Sequence, residues 1–232
     1  MAIAIILSGG TGLRASTDIP KQYIEVNNTP VIADSIGVFE RHEDISKYVI
    51  VAADEWTDYI TKFTGDKFIG FAPAGKTRQL SILNGLKALS NIASDDDMII
   101  IHDAARPFVS AETITALIKA CKTHDGAMPA LPVKDTMYIR KGDKVHSLID
   151  RDTIISGQAP EAFLYKKYLN ANEVLLPEKI LSIRGSTEPA FMAGMDVAVI
   201  DGDENNFKIT TKQDLERYIQ IKSGNNNESI RT

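Results

Sequence analysis

Short runs of β-branched and other apolar residues alternate along the chain with segments whose apolar positions recur every three or four residues. The first pattern predicts buried strands and the second predicts amphipathic helices. Their alternation is typical of an α/β fold, so we predict a Rossmann-like, mostly parallel sheet flanked by helices. The predicted strands are 2–7, 47–52, 67–71, 97–101, 126–132 and 195–200. The predicted helices are 30–41, 78–89, 111–122, with Ser110 as its N-cap, and 213–222.

The pattern changes between residues 133 and 157, where polar and apolar residues alternate around a Lys-Gly-Asp-Lys turn at 141–144. This alternation predicts a projecting β-hairpin, which we call the arm. The polar tail, residues 223–232, is predicted to be disordered. We expect residues 1–232 to form a single domain from which the arm and the tail extend.

Composition narrows the class of protein. With 232 residues, 44% of them hydrophobic and 25% charged, the chain has the profile of an ordinary globular protein with a sizeable core. Its net charge of -5 predicts no binding to nucleic acid or an anionic membrane, so any site for a polyanion must be local. The apolar run 2–7 is too short for a signal sequence or a membrane span. A lone cysteine, Cys121, permits neither an internal disulfide nor a CxxC zinc site, so we expect a reducing, cytoplasmic location.

A glycine-rich loop follows the first predicted strand and carries two cations, Arg14 and Lys21. Glycines let backbone amides approach a phosphate closely, and the cations add charge. The loop lacks both the P-loop ending and the GxGxxG spacing, so a turn without a ligand remains an alternative. Its position after a buried strand favours ligand binding, because open α/β folds bind ligands at the carboxyl edge of the sheet. The loop residues concerned are Ser8, Gly9, Gly10, Thr11 and Gly12.

Four further segments follow this loop in a fixed order. They are 101–107 (IHDAARP), 130–136 (ALPVKDT), 150–151 (DR) leading to 157–160 (GQAP), and 206–210 (NFKIT). Together with the loop at 7–23, they closely resemble the cytidylyltransferases that act on 2-C-methyl-D-erythritol 4-phosphate and their relatives that act on D-ribitol 5-phosphate. The resemblance covers nearly the whole chain, and it depends on five motifs in register rather than on any one of them.

The resemblance implies a Mg²⁺-dependent enzyme that transfers CMP from CTP to the phosphate of a small sugar alcohol and releases pyrophosphate. Two polyanions must meet in such a reaction, so positive side chains are the main requirement. The attacking phosphate is already ionised at neutral pH, so the chemistry consists of positioning and electrostatic stabilisation without a general base.

The family likeness also implies roles for individual residues. Arg14 and Lys21 are expected to stabilise charge on the triphosphate, and Arg151 and Lys208 to hold the phosphate of the acceptor. Asp103 directly follows the strand 97–101 and is the expected Mg²⁺ ligand. Considered alone, an aspartate after a strand is equally often a helix N-cap.

The nucleotide is expected to lie between two segments. The likeness puts Gly75, Arg78 and Ser81, at the start of the helix 78–89, against the cytosine ring, with Ser8 and Gly9 on its other side. Ala104 and Arg106 are also expected to belong to the nucleotide site, and Arg106 either pairs with Asp103 or holds a phosphate. His102 is expected to be a packed, hydrogen-bonded residue because strand alternation turns it away from Asp103.

The family resemblance also implies that the protein forms an oligomer. Arg151 lies at the end of the predicted arm rather than on the sheet, so it is expected to complete the active site of a neighbouring subunit. The resemblance therefore implies a homodimer formed through the arm.

Two departures from the family pattern fall on the acceptor side. Ala159 stands where the family usually has threonine, and 184–188 (RGSTE) stands where relatives commonly have a Thr-Asp pair. Both sugar-alcohol phosphates therefore remain open, as does a more anionic acceptor that would explain Arg184. A non-catalytic nucleotide-binding relative is a further alternative. An NAD-dependent dehydrogenase is disfavoured because the chain lacks GxGxxG.

Overall fold

The computed structural model describes residues 1–10 and 19–224. Within these ranges the strands are β1 (Ala2–Leu7), β2 (Glu25–Val26), β3 (Thr29–Pro30), β4 (Ile45–Ala52), β5 (Phe68–Pro73), β6 (Met98–Asp103), β7 (Gly126–Pro132), β8 (Tyr138–Lys141), β9 (Lys144–Leu148), β10 (Ile155–Gly157), β11 (Glu161–Leu164) and β12 (Val197–Asp201). The α-helices are α1 (Val31–Arg41), α2 (Thr57–Thr61), α3 (Arg78–Ala88), α4 (Ala111–Ala120), α5 (Tyr165–Glu173), α6 (Thr187–Met192) and α7 (Lys212–Lys222).

The central sheet has the strand order β10-β7-β11-β6-β1-β4-β5, and β12 also pairs with β7. The pairs β1–β4, β1–β6, β4–β5 and β12–β7 are parallel, whereas β10 and β11 run antiparallel to their neighbours. Helices flank the sheet, so the prediction of an α/β fold with a mostly parallel sheet is confirmed. The predicted strands and helices occur with ends shifted by a few residues, and Ser110 caps α4 by accepting a hydrogen bond from the backbone N–H of Thr113.

The core around the central sheet has two layers because the middle strands are buried on both faces. In β1, Ala4 and Ile6 point to the layer formed with α1 and α4, and Ile3 and Ile5 point to the layer formed with α3 and α5. Continuous apolar strands of this kind are what a parallel sheet covered by helices requires. The middle strands are thereby held rigidly, and their carboxyl ends form one edge.

The arm is a two-stranded hairpin of β8 and β9, in which Tyr138 pairs with Leu148. Gly142 in the turn has a φ of 63°, a left-handed conformation that glycine adopts without strain. The predicted boundary at residue 157 was wrong, because β10 returns to the central sheet and pairs with β7. An alternating pattern predicts a strand but does not tell which strand it will pair with.

The short strand β11 was not predicted. β11 lies antiparallel between β6 and β7, and Glu161 pairs with Ile101. Four residues are too few for a reliable periodic signal. This strand matters for function because it brings residue 161 next to the end of β6.

No α-helix in the described ranges is long and apolar enough to span a bilayer. The prediction for the tail falls largely on residues 225–232, which lie outside the described residues. The two residues of the tail that are described, Ser223 and Gly224, follow the end of α7.

Candidate active site

A cavity of about 680 Å³ opens at the carboxyl edge of the sheet, a size that is typical of small-molecule sites. Leu7 at the end of β1, Asp103 at the end of β6 and Gly75 after β5 all line it. Its other described lining residues are Gly9, Gly10, Lys21, Gln22, Lys76, Thr77, Arg78, Ser81, Ala105 and Lys208. Among the described lining residues, four are cationic and one is acidic, so the cavity suits an anion.

Gln22 anchors the first residues of the glycine-rich loop, Ser8 to Gly10. The side-chain amide of this buried residue donates hydrogen bonds to the carbonyl oxygens of Ser8 and Gly10, both at 2.7 Å. Gly9 lies so close to Ala74 that a Cβ at residue 9 would stand 2.5 Å from the Ala74 Cβ, so glycine is required there. Gln22 was missed in the sequence, although a polar side chain directly after Lys21 was a usable signal. Thr11, Gly12 and Arg14 lie outside the described residues.

Lys21 reaches the cavity because the short 3-10 helix Lys21–Tyr23 is anchored on its other side. The Tyr23 ring stacks on Trp56 with centroids 4.1 Å apart, and the Tyr23 hydroxyl lies 2.8 Å from the Ser8 hydroxyl. Stacking and a buried hydrogen bond together fix the turn relative to β1. The predicted loop residues Ser8, Gly9, Gly10 and Lys21 are therefore brought together.

The segment before α3 forms the facing wall. Thr77 caps α3 by accepting a hydrogen bond from the backbone N–H of Leu80, and the Gly75 N–H donates to the Ser81 hydroxyl at 2.9 Å. A Cβ at Gly75 would stand 2.5 Å from the Leu80 Cβ, so this turn also requires glycine. Gly75, Arg78 and Ser81 line the cavity as the sequence predicted, and Lys76, which was overlooked there, joins them.

Asp103 is the centre of a cluster of charges. Its Oδ1 accepts a hydrogen bond from Arg78 Nε at 3.0 Å, and its Oδ2 accepts one from Lys208 Nζ at 2.8 Å. Arg106 Nε lies 4.0 Å from Oδ2. Burial by itself would raise the pKa of Asp103, but Arg78 and Lys208 outweigh it and hold that pKa well below the usual range of a carboxyl group. Asp103 is therefore ionised throughout the physiological range.

The residues around Asp103 divide between the cavity and the core. The Arg106 guanidinium donates a hydrogen bond to the Asn206 carbonyl oxygen at 2.6 Å and faces Asp103, which favours the pairing alternative. Ala104 is fully buried and is not part of the described lining of the cavity. The residue that lines the cavity there is Ala105. His102 is buried against Phe39 with its Nε2 3.1 Å from the Arg106 carbonyl oxygen, and burial lowers its pKa to about 3. This confirms that His102 is packed and hydrogen-bonded.

Lys208 lies in a loop that buried polar contacts fix to the sheet. The Gln158 amide donates to the Asp203 carbonyl oxygen at 2.9 Å, and the Asn206 amide donates to the Ala159 carbonyl oxygen at 2.7 Å. Because both Gln158 and Asn206 are buried, the loop has little freedom to move. The Lys208 ammonium is thereby held opposite Arg78 across Asp103.

Arg151 is not brought into this cavity. Its side chain is 55% exposed, it donates a hydrogen bond to the Lys134 carbonyl oxygen at 3.0 Å, and it lines a separate hollow beside β10 and β12. Within the described part of one chain, the predicted acceptor cations Arg151 and Lys208 therefore line different cavities.

The segment 184–188, which departs from the family pattern, mixes buried and exposed residues. Ser186 is buried and accepts a hydrogen bond from the Arg78 guanidinium, and Thr187 donates to Glu161 at 3.0 Å. Arg184 is exposed and is absent from the described lining of the cavity, so it gives no support to a more anionic acceptor. The buried acid of this region is Glu161, which the sequence did not single out.

A magnesium ion is compatible with these residues. A carboxylate has about four acceptor positions, and hydrogen bonds from Arg78 and Lys208 take two of those on Asp103. Within the described ranges no group of three His, Cys, Asp or Glu side chains is placed to hold a metal. Mg²⁺ is usually bound through one or two carboxylates, phosphate oxygens and water, so a single aspartate at the cavity has the chemistry that such a site needs.

Fold and site together define the class. An open α/β sheet with a glycine-rich loop, lysines and an ionised aspartate at its carboxyl edge is the arrangement of a nucleotidyltransferase. The sequence profile of the IspD family, 2-C-methyl-D-erythritol 4-phosphate cytidylyltransferase, matches residues 2–221. The chain belongs to this family.

Individual relatives agree with the assignment. A ribitol-5-phosphate cytidylyltransferase of Streptococcus agalactiae serotype III is 30% identical over 236 aligned positions that cover 99% of both chains. A 2-C-methyl-D-erythritol 4-phosphate cytidylyltransferase of Geobacillus kaustophilus is 32% identical, covering 91% of this chain and 92% of the relative. The crystal structure of 4-diphosphocytidyl-2C-methyl-D-erythritol synthase from Anaerococcus prevotii superposes with a TM-score of 0.82 and 27% identity over 96% of each chain. The resemblance inferred from the motifs is thus confirmed.

Proposed function

We propose that the protein transfers the CMP moiety of CTP to the phosphate of a sugar alcohol, either D-ribitol 5-phosphate or 2-C-methyl-D-erythritol 4-phosphate, and releases pyrophosphate. One observation supports this most strongly: an ionised Asp103 lies between Arg78 and Lys208 in a cavity that the glycine-rich loop also lines. Such a site supplies fixed charges where two phosphate compounds must come together.

The reaction forms one bond and breaks one. An oxygen of the acceptor phosphate attacks the α-phosphorus of CTP, and the bond from that phosphorus to the bridging oxygen of the pyrophosphate group breaks. We propose that Lys21, with Arg14, stabilises the charge that the triphosphate gains, and that Lys208 directs the acceptor phosphate toward the α-phosphorus. Gly75 and Ser81 are proposed to hold the cytosine ring. No proton has to be removed from the nucleophile, so positioning and charge account for the rate.

Asp103 is proposed as the residue that holds Mg²⁺. When bound, the metal neutralises charge on the phosphate oxygens. The contribution of the chain is an aspartate that Arg78 and Lys208 keep ionised and that offsets part of their positive charge.

The identity of the acceptor can be tested with a panel of candidate substrates. With CTP saturating and Mg²⁺ present, pyrophosphate release is measured with D-ribitol 5-phosphate, with 2-C-methyl-D-erythritol 4-phosphate and with the two unphosphorylated alcohols as controls. We expect release with at least one of the phosphates and none with the alcohols, because the alcohols lack the ionised nucleophile. A protein that binds CTP but releases no pyrophosphate with either phosphate would contradict the proposed reaction.

We also propose that the enzyme acts as a homodimer joined through the arm. The arm exposes four large apolar side chains, between 45% and 71% of each being accessible, which is costly in water. These residues are Tyr138, Ile139, Val145 and Leu148. Because Arg151 stands at the base of the arm and away from the cavity of its own chain, the partner's cavity is its proposed destination.

A mixing experiment tests this shared site. Arg151→Ala and Asp103→Ala proteins are each expected to be nearly inactive, because each damages every site of its own homodimer. After subunit exchange, a mixed dimer contains one site with both residues intact, so activity should reappear to about a quarter of the wild-type level. Continued inactivity after exchange, with mixed dimers verified by mass, would exclude the shared site.

A reducing, cytoplasmic location is proposed from the sequence. It rests on the lone cysteine, Cys121, which is buried and whose pKa burial raises to about 12. A thiol that is both inaccessible and protonated has no role in disulfide chemistry. Fractionation of the native host would test the location directly.

A further inference from the structure

Glu161 is a buried acid outside the described lining of the cavity. Its Oε1 accepts a hydrogen bond from the Thr187 hydroxyl at 3.0 Å, and its Oε2 lies 3.9 Å from an Arg78 guanidinium nitrogen. On its other side the same guanidinium donates to Asp103 at 3.0 Å and to the Ser186 hydroxyl. Arg78 therefore lies between two carboxylates on neighbouring strands.

The chemistry of this arrangement requires arginine. A guanidinium has five N–H donors in a fixed plane and can contact both carboxylates and a hydroxyl at once, which an ammonium group on a flexible stem cannot do in fixed geometry. Burial raises the pKa of Glu161, and Arg78 with the nearby hydroxyls opposes this effect. Arg78 is thus a cation that compensates Glu161, and each residue limits the positions open to the other.

The arrangement also connects two sides of the site. Asp103 ends β6 and lines the cavity, whereas Ser186 and Thr187 belong to segment 184–188, which the family resemblance puts on the acceptor side. Because Glu161 pairs with Ile101 in the sheet, the backbone holds the two carboxylates at a fixed separation. A displacement of segment 184–188 would therefore shift the Arg78 guanidinium.

We propose that Glu161 is a positioning residue that, together with Ser186, holds the Arg78 guanidinium against Asp103 and thereby couples the acceptor-side segment to the nucleotide cavity. The proposal rests on the proposed function, because it takes segment 184–188 to lie on the acceptor side of that reaction's site, as the family resemblance implies. A purely structural ion pair is the competing interpretation, and the two differ in what they predict for CTP binding.

The decisive variant is Glu161→Gln, which keeps the size of the side chain and an oxygen for Thr187 but removes the negative charge. Arg78 then has one carboxylate partner instead of two and can turn toward the nucleotide phosphates. We expect the Kd for CTP, measured by calorimetry without acceptor, to fall roughly threefold because the cavity becomes more positive. We expect kcat to fall roughly tenfold because Arg78 loses its orientation. A loss of packing alone would instead weaken CTP binding and lower the melting temperature.

A double-mutant cycle shows whether the effect passes through Arg78. In an Arg78→Gln protein, adding Glu161→Gln should cause no further fall in kcat. The matched control is Glu173→Gln, an exposed glutamate at the end of α5 that pairs with Lys87 on the surface and should change neither quantity. If Glu161→Gln fails to fold, Ser186→Ala removes another partner of Arg78 and carries the same expectation for kcat.

Two results would overturn the proposal: weaker CTP binding in Glu161→Gln, or an equal fall in kcat with and without Arg78. A failure of the proposed function would be distinguished by the wild-type protein, which would then release no pyrophosphate with either sugar-alcohol phosphate. The comparison of CTP affinities remains valid in that case because it involves no acceptor.

Discussion

Asp103→Asn should lower Mg²⁺-dependent turnover by roughly a thousandfold, the upper end of the cost of removing one stabilising group from an active site. The substitution keeps the shape of the side chain and removes the charge that Arg78, Lys208 and Arg106 surround. Three cations then face one another without an anion between them, and the proposed metal ligand is lost. Initial rates of pyrophosphate release over a range of Mg²⁺ concentrations measure the effect.

Asp96→Asn is the matched control for this change, because Asp96 is exposed and lies just before β6, at the opposite end from Asp103. Its turnover should equal that of the wild-type protein. Circular dichroism and a melting curve establish that Asp103→Asn is folded. Near-normal turnover in folded Asp103→Asn at ordinary Mg²⁺ concentrations would remove Asp103 from the proposed metal site.

Lys208→Ala should lower kcat/KM for the acceptor phosphate by roughly a hundredfold while changing the KM for CTP much less. The ammonium group lies 2.8 Å from Asp103 and lines the cavity from the loop that Gln158 and Asn206 hold in place. Removing a point charge at this position leaves the glycine-rich loop and Lys21 intact. Steady-state kinetics with each substrate varied in turn separate the two effects.

Lys212→Ala provides the comparison for this lysine, since Lys212 begins α7 nearby in the sequence and its side chain is 82% exposed. It should behave as wild type for both substrates. If Lys208→Ala instead raised the KM values for CTP and for the acceptor to the same degree, Lys208 would belong to both halves of the site rather than to the acceptor side.

Local patterns in the sequence were sufficient for the parts of the fold that depend on local interactions. β1 and β7 have the predicted ends, and α3 begins at the predicted residue, because apolar periodicity and capping residues act over a few positions. The placement of Asp103 and Lys21 at one cavity followed from a general property of parallel sheets, whose carboxyl ends share an edge. The family motifs indicated, in addition, which kind of ligand this cavity would bind.

Long-range pairing could not be predicted in the same way. β11 lies between β6 and β7, which are separated from it by many residues, and its four positions carry no periodic signal. Glu161 was missed for this reason, because it is significant only through partners that the fold brings near. The sequence suggested a nucleotide contact for Arg78 but not that two carboxylates would hold its guanidinium.

The position of β11 has a consequence for how the enzyme can move. Backbone hydrogen bonds join β11 to β6 along four residue pairs and to β7 along two. The strands that carry Asp103 and Glu161 therefore belong to one continuous sheet. A hinge motion that separates Asp103 from Glu161 would have to break those bonds. We therefore expect substrates to enter and leave by movements that keep this part of the sheet intact.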